Sequence, residues 1–277
     1  MIKTNDYIVL LNSMSQEMKS LRIAAILLAL AMPLAAAIAA EPSADTSAVT
    51  RPILPGIGKA DPRVMVDPSE PPWRAVGKLQ TTAGALYASC TGTLVKPNLI
   101  LTAAHCLFNA RTGHYFLAPM MHFLLGFDRG SDRGQALGTS FVIAPGFDPL
   151  HPRETPGSDW ALLTIDKNFG AAAQVALIGE PRPELGTAVM IGGYGQDHPY
   201  KLMADRACQI TARGLNAAGH FLLRHNCTAT RGVSGGPVWA KVGAEWRIIG
   251  VDIEAQMGAA DGIAVSIGEV TPRLKAE

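Results

Sequence analysis

Pro97-Asn98-Leu99-Ile100-Leu101-Thr102-Ala103-Ala104-His105-Cys106 is the stretch on which the reading of this chain turns. A Pro-Asn pair opens it, five mostly apolar residues follow, and the run stops on small residues, a histidine and a cysteine. An apolar run of that length between turn signals suits a strand. The same unit recurs along the body of the chain. Runs lie at Ala75–Thr82, Ala85–Val95, Leu99–Ala103, His122–Asp128, Thr139–Ile143 and Trp160–Asp166. They continue at Ala188–Tyr194, Leu202–Ile210, His220–Cys227, Gly236–Val242, Trp246–Glu254 and Ile263–Ile267, with Gly, Pro, Asn or Asp between them. No helical periodicity is sustained among them, and no repeat of 20–50 residues is present. About a dozen strands in ~200 residues predict an all-β sandwich or a pair of barrels.

Composition supports a folded chain of one large or two small domains in 277 residues. Apolar residues at 48% and charged residues at 17% exclude wholesale disorder. Lys and Arg number 24 against 23 Asp and Glu, so no basic excess points to nucleic acid.

The N-terminus has a separate character. Lys19 and Arg22 precede Ile23–Ala40, 18 uncharged and almost wholly apolar residues interrupted by Pro33 and ending in small ones. This is the basic, apolar and small-residue order of a secretory signal peptide over residues 1–40, with cleavage after Ala39 or one residue later. An uncleaved membrane anchor is the competing reading; a cleaved signal leaves no stable anchor. Met18 would open a signal of ordinary length, so Met1 and Met18 both stand as starts. Without residues 1–40 the chain carries 21 basic and 21 acidic side chains. Export to the periplasm or the medium puts Cys90, Cys106, Cys208 and Cys227 in an oxidising compartment, where disulfides are expected. No cysteine or histidine cluster argues for zinc, and no cofactor is expected. Residues 41–72, with seven prolines, are expected to be a propeptide or irregular N-terminal arm.

Three motifs bear chemistry. They are Thr102-Ala103-Ala104-His105-Cys106, Gly157-Ser158-Asp159-Trp160-Ala161-Leu162-Leu163 and Gly232-Val233-Ser234-Gly235-Gly236-Pro237-Val238. A serine hydroxyl is a weak nucleophile that needs a base, and the base needs a carboxylate to fix its tautomer. Glycines beside the serine let backbone amides face a developing oxyanion. Each motif alone is weak evidence. The order His, Asp, Ser, at spacings of 54 and 75 residues, is hard to obtain by accident. Gly232–Gly236 also satisfies G-x-S-x-G, but an α/β-hydrolase requires its histidine after the serine, and the last histidine here is His225. Asp128, Asp132 and Asp148 are alternative carboxylates; His114, His122, His151, His198, His220 and His225 fit surface or core positions, and His225 could line a cleft. Met120 and Met121 fit apolar filling.

On these motifs the chain resembles the trypsin-like (chymotrypsin-fold) serine peptidases, and within them the bacterial glutamyl-endopeptidase-like branch. The likeness runs from about Asp61 to Ile267 and takes in Pro72-Trp73-Arg74-Ala75-Val76-Gly77. It implies two six-stranded antiparallel Greek-key β-barrels over 73–277, breaking near 170–187, with the site in the cleft between them. It implies His105 as base, Asp159 as its orienting carboxylate, Ser234 as nucleophile, and the amides of Gly232 and Ser234 as oxyanion hole. It also implies disulfides Cys90–Cys106 and Cys208–Cys227, a polypeptide substrate and a monomer. The alternative function is a catalytically silent module of the same fold that binds a partner through the cleft.

Departures matter too. Digestive trypsins carry an aspartate just before the nucleophile, which captures a freed N-terminus; here that residue is Val233. The specificity pocket is expected from Thr228, Asp252, Ile253 and Glu254. Thr228 stands where trypsins place an aspartate, and Asp252 where glutamyl endopeptidases place a histidine. An acid there favours a basic P1 side chain over an acidic one. In the bland alternative, Asp252 or Glu254 points to solvent or meets Arg231 at the rim.

Overall fold

The computed structural model describes residues 54–83, 86–170, 176–179 and 182–277. The expected signal peptide, and the arm as far as residue 53, lie outside these residues. The chain enters along a short strand β1 (Val64–Met65) and a 3₁₀ turn at Trp73–Ala75. It then forms β2 (Val76–Ala83), β3 (Leu86–Lys96) and β4 (Leu99–Thr102). A two-residue ribbon follows, β5 (Phe108–Asn109) with β6 (His114–Tyr115). Strands β7 (Met121–Leu125), β8 (Gln135–Ile143) and β9 (Ala161–Ile165) close a barrel in the order β2-β3-β4-β9-β8-β7.

A bridge strand β10 (Leu177–Ile178) leads to the second half. That half contains β11 (Ala188–Gly193), β12 (Met203–Leu215), β13 (Phe221–His225), β14 (Pro237–Val242), β15 (Glu245–Ala255) and β16 (Gly262–Ser266). Pairings run β12-β11-β14-β15-β16-β13, and β13 returns to β12, so this sheet also closes. Strand β1 adds to the outside of β12, and β10 lies parallel to β15. The two six-stranded antiparallel barrels agree with the fold implied by the resemblance.

Physics explains why these runs and no others make the barrels. Residues facing inward are apolar and large: Leu79, Leu94, Ile100, Leu101, Phe123, Leu125 and Leu162 in the first barrel are at most 1% exposed. β4 is buried along its whole length, which is why Leu99–Thr102 has no polar alternation. Closure abolishes the open edges that would otherwise present unpaired backbone groups. Trp73 meets Trp239 of β14 edge to face at 6.5 Å, tying the entry of one barrel to the core of the other. The chain ends in helix α1 (Ile267–Ala276), capped by the Ser266 side chain on the Gly268 amide.

The arm departs from the boundary at residue 73. Val66 is buried and its amide donates to the Leu202 carbonyl at 3.1 Å. The Gly56 amide donates to the Gln256 carbonyl at 2.6 Å, and a Cβ on Gly56 would lie 1.6 Å from the Ala229 carbonyl oxygen. Only glycine fits there, with φ at +74°. Residues 54–72, irregular apart from β1, are built into the second barrel.

Candidate active site

His105 sits on the 3₁₀ turn Ala104–Leu107 that ends β4, and Asp159 caps the turn Pro156–Ser158 that opens β9. β4 and β9 are neighbours, pairing Thr102 with Ala161, so the two turns emerge side by side. One carboxylate oxygen of Asp159 accepts the His105 backbone amide at 2.9 Å; the other accepts Nδ1 at 2.7 Å. The histidine is therefore held by backbone and ring at once. With its proton on Nδ1, the ring presents Nε2 as an acceptor. The Asp159 side chain is 5% exposed and that of His105 is 30% exposed, which leaves the ring open to the cleft.

Burial pulls the His105 pKa down, but the Asp159 charge and hydrogen bond outweigh it, with smaller contributions from Asp252 and Glu254. The net direction is upward from the ordinary 6.5. Asp128, Asp132 and Asp148 are engaged elsewhere, with Arg129, with Gly134 and Gln135, and with His151.

Ser234 belongs to the loop between β13 and β14. Its carbonyl accepts the Thr91 amide at 2.9 Å, and the Gly235 amide donates to the Asp252 carbonyl at 2.7 Å. The amides of Val233 and Gly236 are also spent, on Thr230 and Val233 carbonyls. Among the described residues, the amides of Gly232 and Ser234 donate to no backbone carbonyl. Gly232 has φ +95°, and a Cβ there would lie 2.4 Å from the Tyr194 carbonyl oxygen. The loop thus keeps two amides uncommitted beside one hydroxyl.

His105, Asp159 and Ser234 all line one cleft of about 490 Å³, together with Thr230, Arg231, Asp252, Ile253 and Glu254. Thr228 is buried behind this wall, its amide on the Asp205 carboxylate at 2.8 Å. The hydroxyls of Thr228 and Thr230 are buried without a partner among the described residues. Thr230 is the lining threonine, two residues before Gly232 and four before Ser234.

Asp252 neither points to solvent nor meets Arg231. It is buried and accepts His225 Nε2 at 3.1 Å, while His225 Nδ1 accepts the Cys227 amide at 3.3 Å. That pattern places the imidazole proton on Nε2. His225 is fully buried behind the cleft wall rather than lining it. Glu254 pairs with Arg153 at 3.1 Å, a contact from the loop before Asp159 to β15 that the sequence reading did not anticipate.

Cys90 is joined to Cys106, beside His105, and Cys208 to Cys227, before the nucleophile loop, as the resemblance implied. The bridges span 16 and 19 residues, and loops of this size contribute ~3 kcal/mol in the chain-entropy model. The cluster Cys90, His105, Cys106 has metal-like spacing, but disulfide sulfurs are not thiolate ligands. In Asp61, Asp197 and His198 the two carboxylates are occupied by Arg63.

Human kallikrein-5 is 30% identical over 129 residues, covering 45% of this chain and 39% of that protein. Human transmembrane protease serine 5 is 24% identical, covering 67% of this chain and 44% of its own length. The chain spans less than half the length of these curated relatives. Among solved structures, a Glu endopeptidase superposes with TM-score 0.63 at 22% identity, covering 80% of this chain and all of that one. Protease Anisep from Arthrobacter nicotinovorans superposes at 0.55 with 16% identity, covering 72% of this chain and 92% of its own. At such identities the likeness speaks for the fold. The Trypsin family model matches residues 64–267, from β1 through the last barrel strand and into α1, and on that match the chain belongs to the trypsin family.

Proposed function

We propose that the chain is a secreted serine endopeptidase working through an acyl-enzyme. The observation that carries this reading is the double hold of Asp159 on His105, in the same cleft as Ser234. His105 Nε2 takes the Ser234 hydroxyl proton as Oγ attacks the scissile carbonyl carbon. The Gly232 and Ser234 amides receive the oxyanion. His105 then gives the proton to the leaving amine as the C–N bond breaks. Water repeats the sequence on the ester, with His105 returning the proton to Ser234. The raised His105 pKa fits a base that must hold a proton transiently beside a carboxylate.

Asp252 lends the acyl side of the cleft a carboxylate, and the unpartnered Thr230 hydroxyl lies on the same wall. This supports P1 lysine or arginine over glutamate. Secretion is supported by the basic-apolar-small order of residues 1–40 and by the two disulfides. Among the described residues, no helix is long and apolar enough to cross a membrane. The folded unit begins by Leu54, so processing is proposed upstream of it, and the peptidase acts as a monomer.

A serine-directed fluorophosphonate should label the wild type and fail on Ser234→Ala. Refusal by a folded wild type would favour the silent binding module.

A further inference from the structure

Val233 removes the carboxylate with which digestive relatives capture a freed N-terminus, so the nucleophile loop needs another brace. The arm carries one. The Arg63 side chain is 1% exposed and donates to Asp61 at 2.7 and 2.8 Å and to Asp197 at 2.5 and 3.3 Å. A guanidinium this buried persists only when its N–H groups are matched, and removing one partner strands the other.

Asp197 lies on the loop after β11, one residue beyond Gln196, whose amide donates to the Arg231 carbonyl at 2.7 Å. On the same loop, the Tyr194 carbonyl abuts Gly232, and Gly195 lies against both Arg63 and Thr230. At the other end of the arm, Gly56 presses on the Ala229 carbonyl and bonds to Gln256. Residues 229–232 are therefore gripped from both sides by elements that the arm holds.

We propose that Arg63 is a positioning residue for the oxyanion hole, an internal guanidinium doing in this chain what a newly cut N-terminus does in digestive relatives. The inference rests on the endopeptidase reading for its catalytic consequence. Its structural part stands alone: without the Arg63–Asp197 pair, the 195–197 loop loosens and the Gly232 amide loses its fixed direction. Activation then requires no freed ammonium group, only an intact arm.

The test compares full-chain wild type with Arg63→Gln, Arg63→Lys, Asp197→Asn and the Arg63→Gln/Asp197→Asn double variant. Two readouts are taken: kcat and KM on a peptide amide, and hydrogen exchange of the 228–236 amides. Arg63→Gln is expected to lower kcat about 10- to 100-fold, less than outright loss of an oxyanion donor, with KM within about threefold. Exchange across 228–236 rises in parallel. Arg63→Lys recovers part of both, and the double variant is little worse than Arg63→Gln. Wild-type exchange across 228–236 in a folded Arg63→Gln protein, or lowered thermal stability with kcat unchanged, would overturn the proposal. Should Arg63→Gln not fold, Asp197→Asn and Arg63→Lys give the same decision. An inactive wild type would count against the endopeptidase reading, while the exchange comparison still upholds or overturns the brace.

Discussion

Two histidine–carboxylate pairs lie within this fold, and they differ in what the second ring nitrogen does. His105–Asp159 stands at the mouth of the cleft with Nδ1 engaged and Nε2 left for a reacting proton. His225–Asp252 is sealed in the second barrel, with Nε2 on the carboxylate and Nδ1 on the Cys227 amide. A histidine is a candidate base only when it is held and still has a nitrogen to spare. The same two residue types, fully hydrogen-bonded and 0% and 4% exposed at the side chains, make a structural post that carries a charge towards the cleft.

The sharpest way to break this contrast is to remove each ring. His105→Ala should lower kcat by roughly 10⁴-fold or more while leaving the melting temperature near that of the parent. His225→Ala should mainly destabilise, by about 3 kcal/mol, because it leaves the Asp252 carboxylate buried without its donor. Thermal melts and steady-state kinetics on both variants decide it. A His225→Ala protein as stable as the parent would erase the distinction.

A smaller effect should follow from Asp252→Asn. Preference for P1 lysine or arginine over uncharged residues should drop about 10-fold in kcat/KM, the size of one modest specificity contact. The acid limb of the kcat/KM profile should shift too. Protonated His105 cannot accept the serine proton, so activity falls as pH drops through its raised pKa, above the ordinary 6.5. Asp252 is one of the charges raising it, so the variant's midpoint moves to lower pH. A profile that stays in place would detach Asp252 from the base.

The smallest effect concerns the arm. The Arg63 side chain holds the Asp61 carboxyl below its usual 3.8. A depressed carboxyl contributes stability above its unfolded pKa and loses it as pH falls through the folded value. Asp61 is 40% exposed, so solvent screening limits the contribution to under about 1 kcal/mol. Asp61→Asn should remove that acid-dependent part of the unfolding free energy, measurable by denaturant titration at pH 7 and pH 3. An unchanged difference between the two pH values would contradict it.

Much of this was legible beforehand. The twelve apolar runs are the twelve barrel strands, because closed antiparallel strands must alternate or bury both faces, and both patterns survive in sequence. Three ends were misplaced by three residues or more: β7 stops at Leu125 rather than Asp128. β8 begins at Gln135 rather than Thr139, and β12 runs on to Leu215 rather than stopping at Ile210. Residues 211–215 are mostly exposed and are held by register with β13, which leaves no hydrophobic trace. The motifs brought His105, Asp159 and Ser234 to one cleft. What they could not convey were contacts set by tertiary approach: Arg153 on Glu254, His225 behind Asp252, and the arm from Leu54. A proline-rich, aperiodic segment looks dispensable in sequence even where its backbone is locked.

That locking sets an order in time. Gly56 is bonded to Gln256, and β1 pairs Val64 with Ala204, so the arm's docking sites are among the later parts of the chain to be made. Contacts across such sequence separations close slowly, because the loop entropy must be overcome before they contribute. Local pairs such as β2 with β3 are free to form long before. A fresh polypeptide would therefore possess its first barrel, His105 and Asp159 while the arm still lacked its seat. The Thr230, Ser234 and Asp252 wall of the cleft belongs to the same late-made part of the chain as the arm's seat.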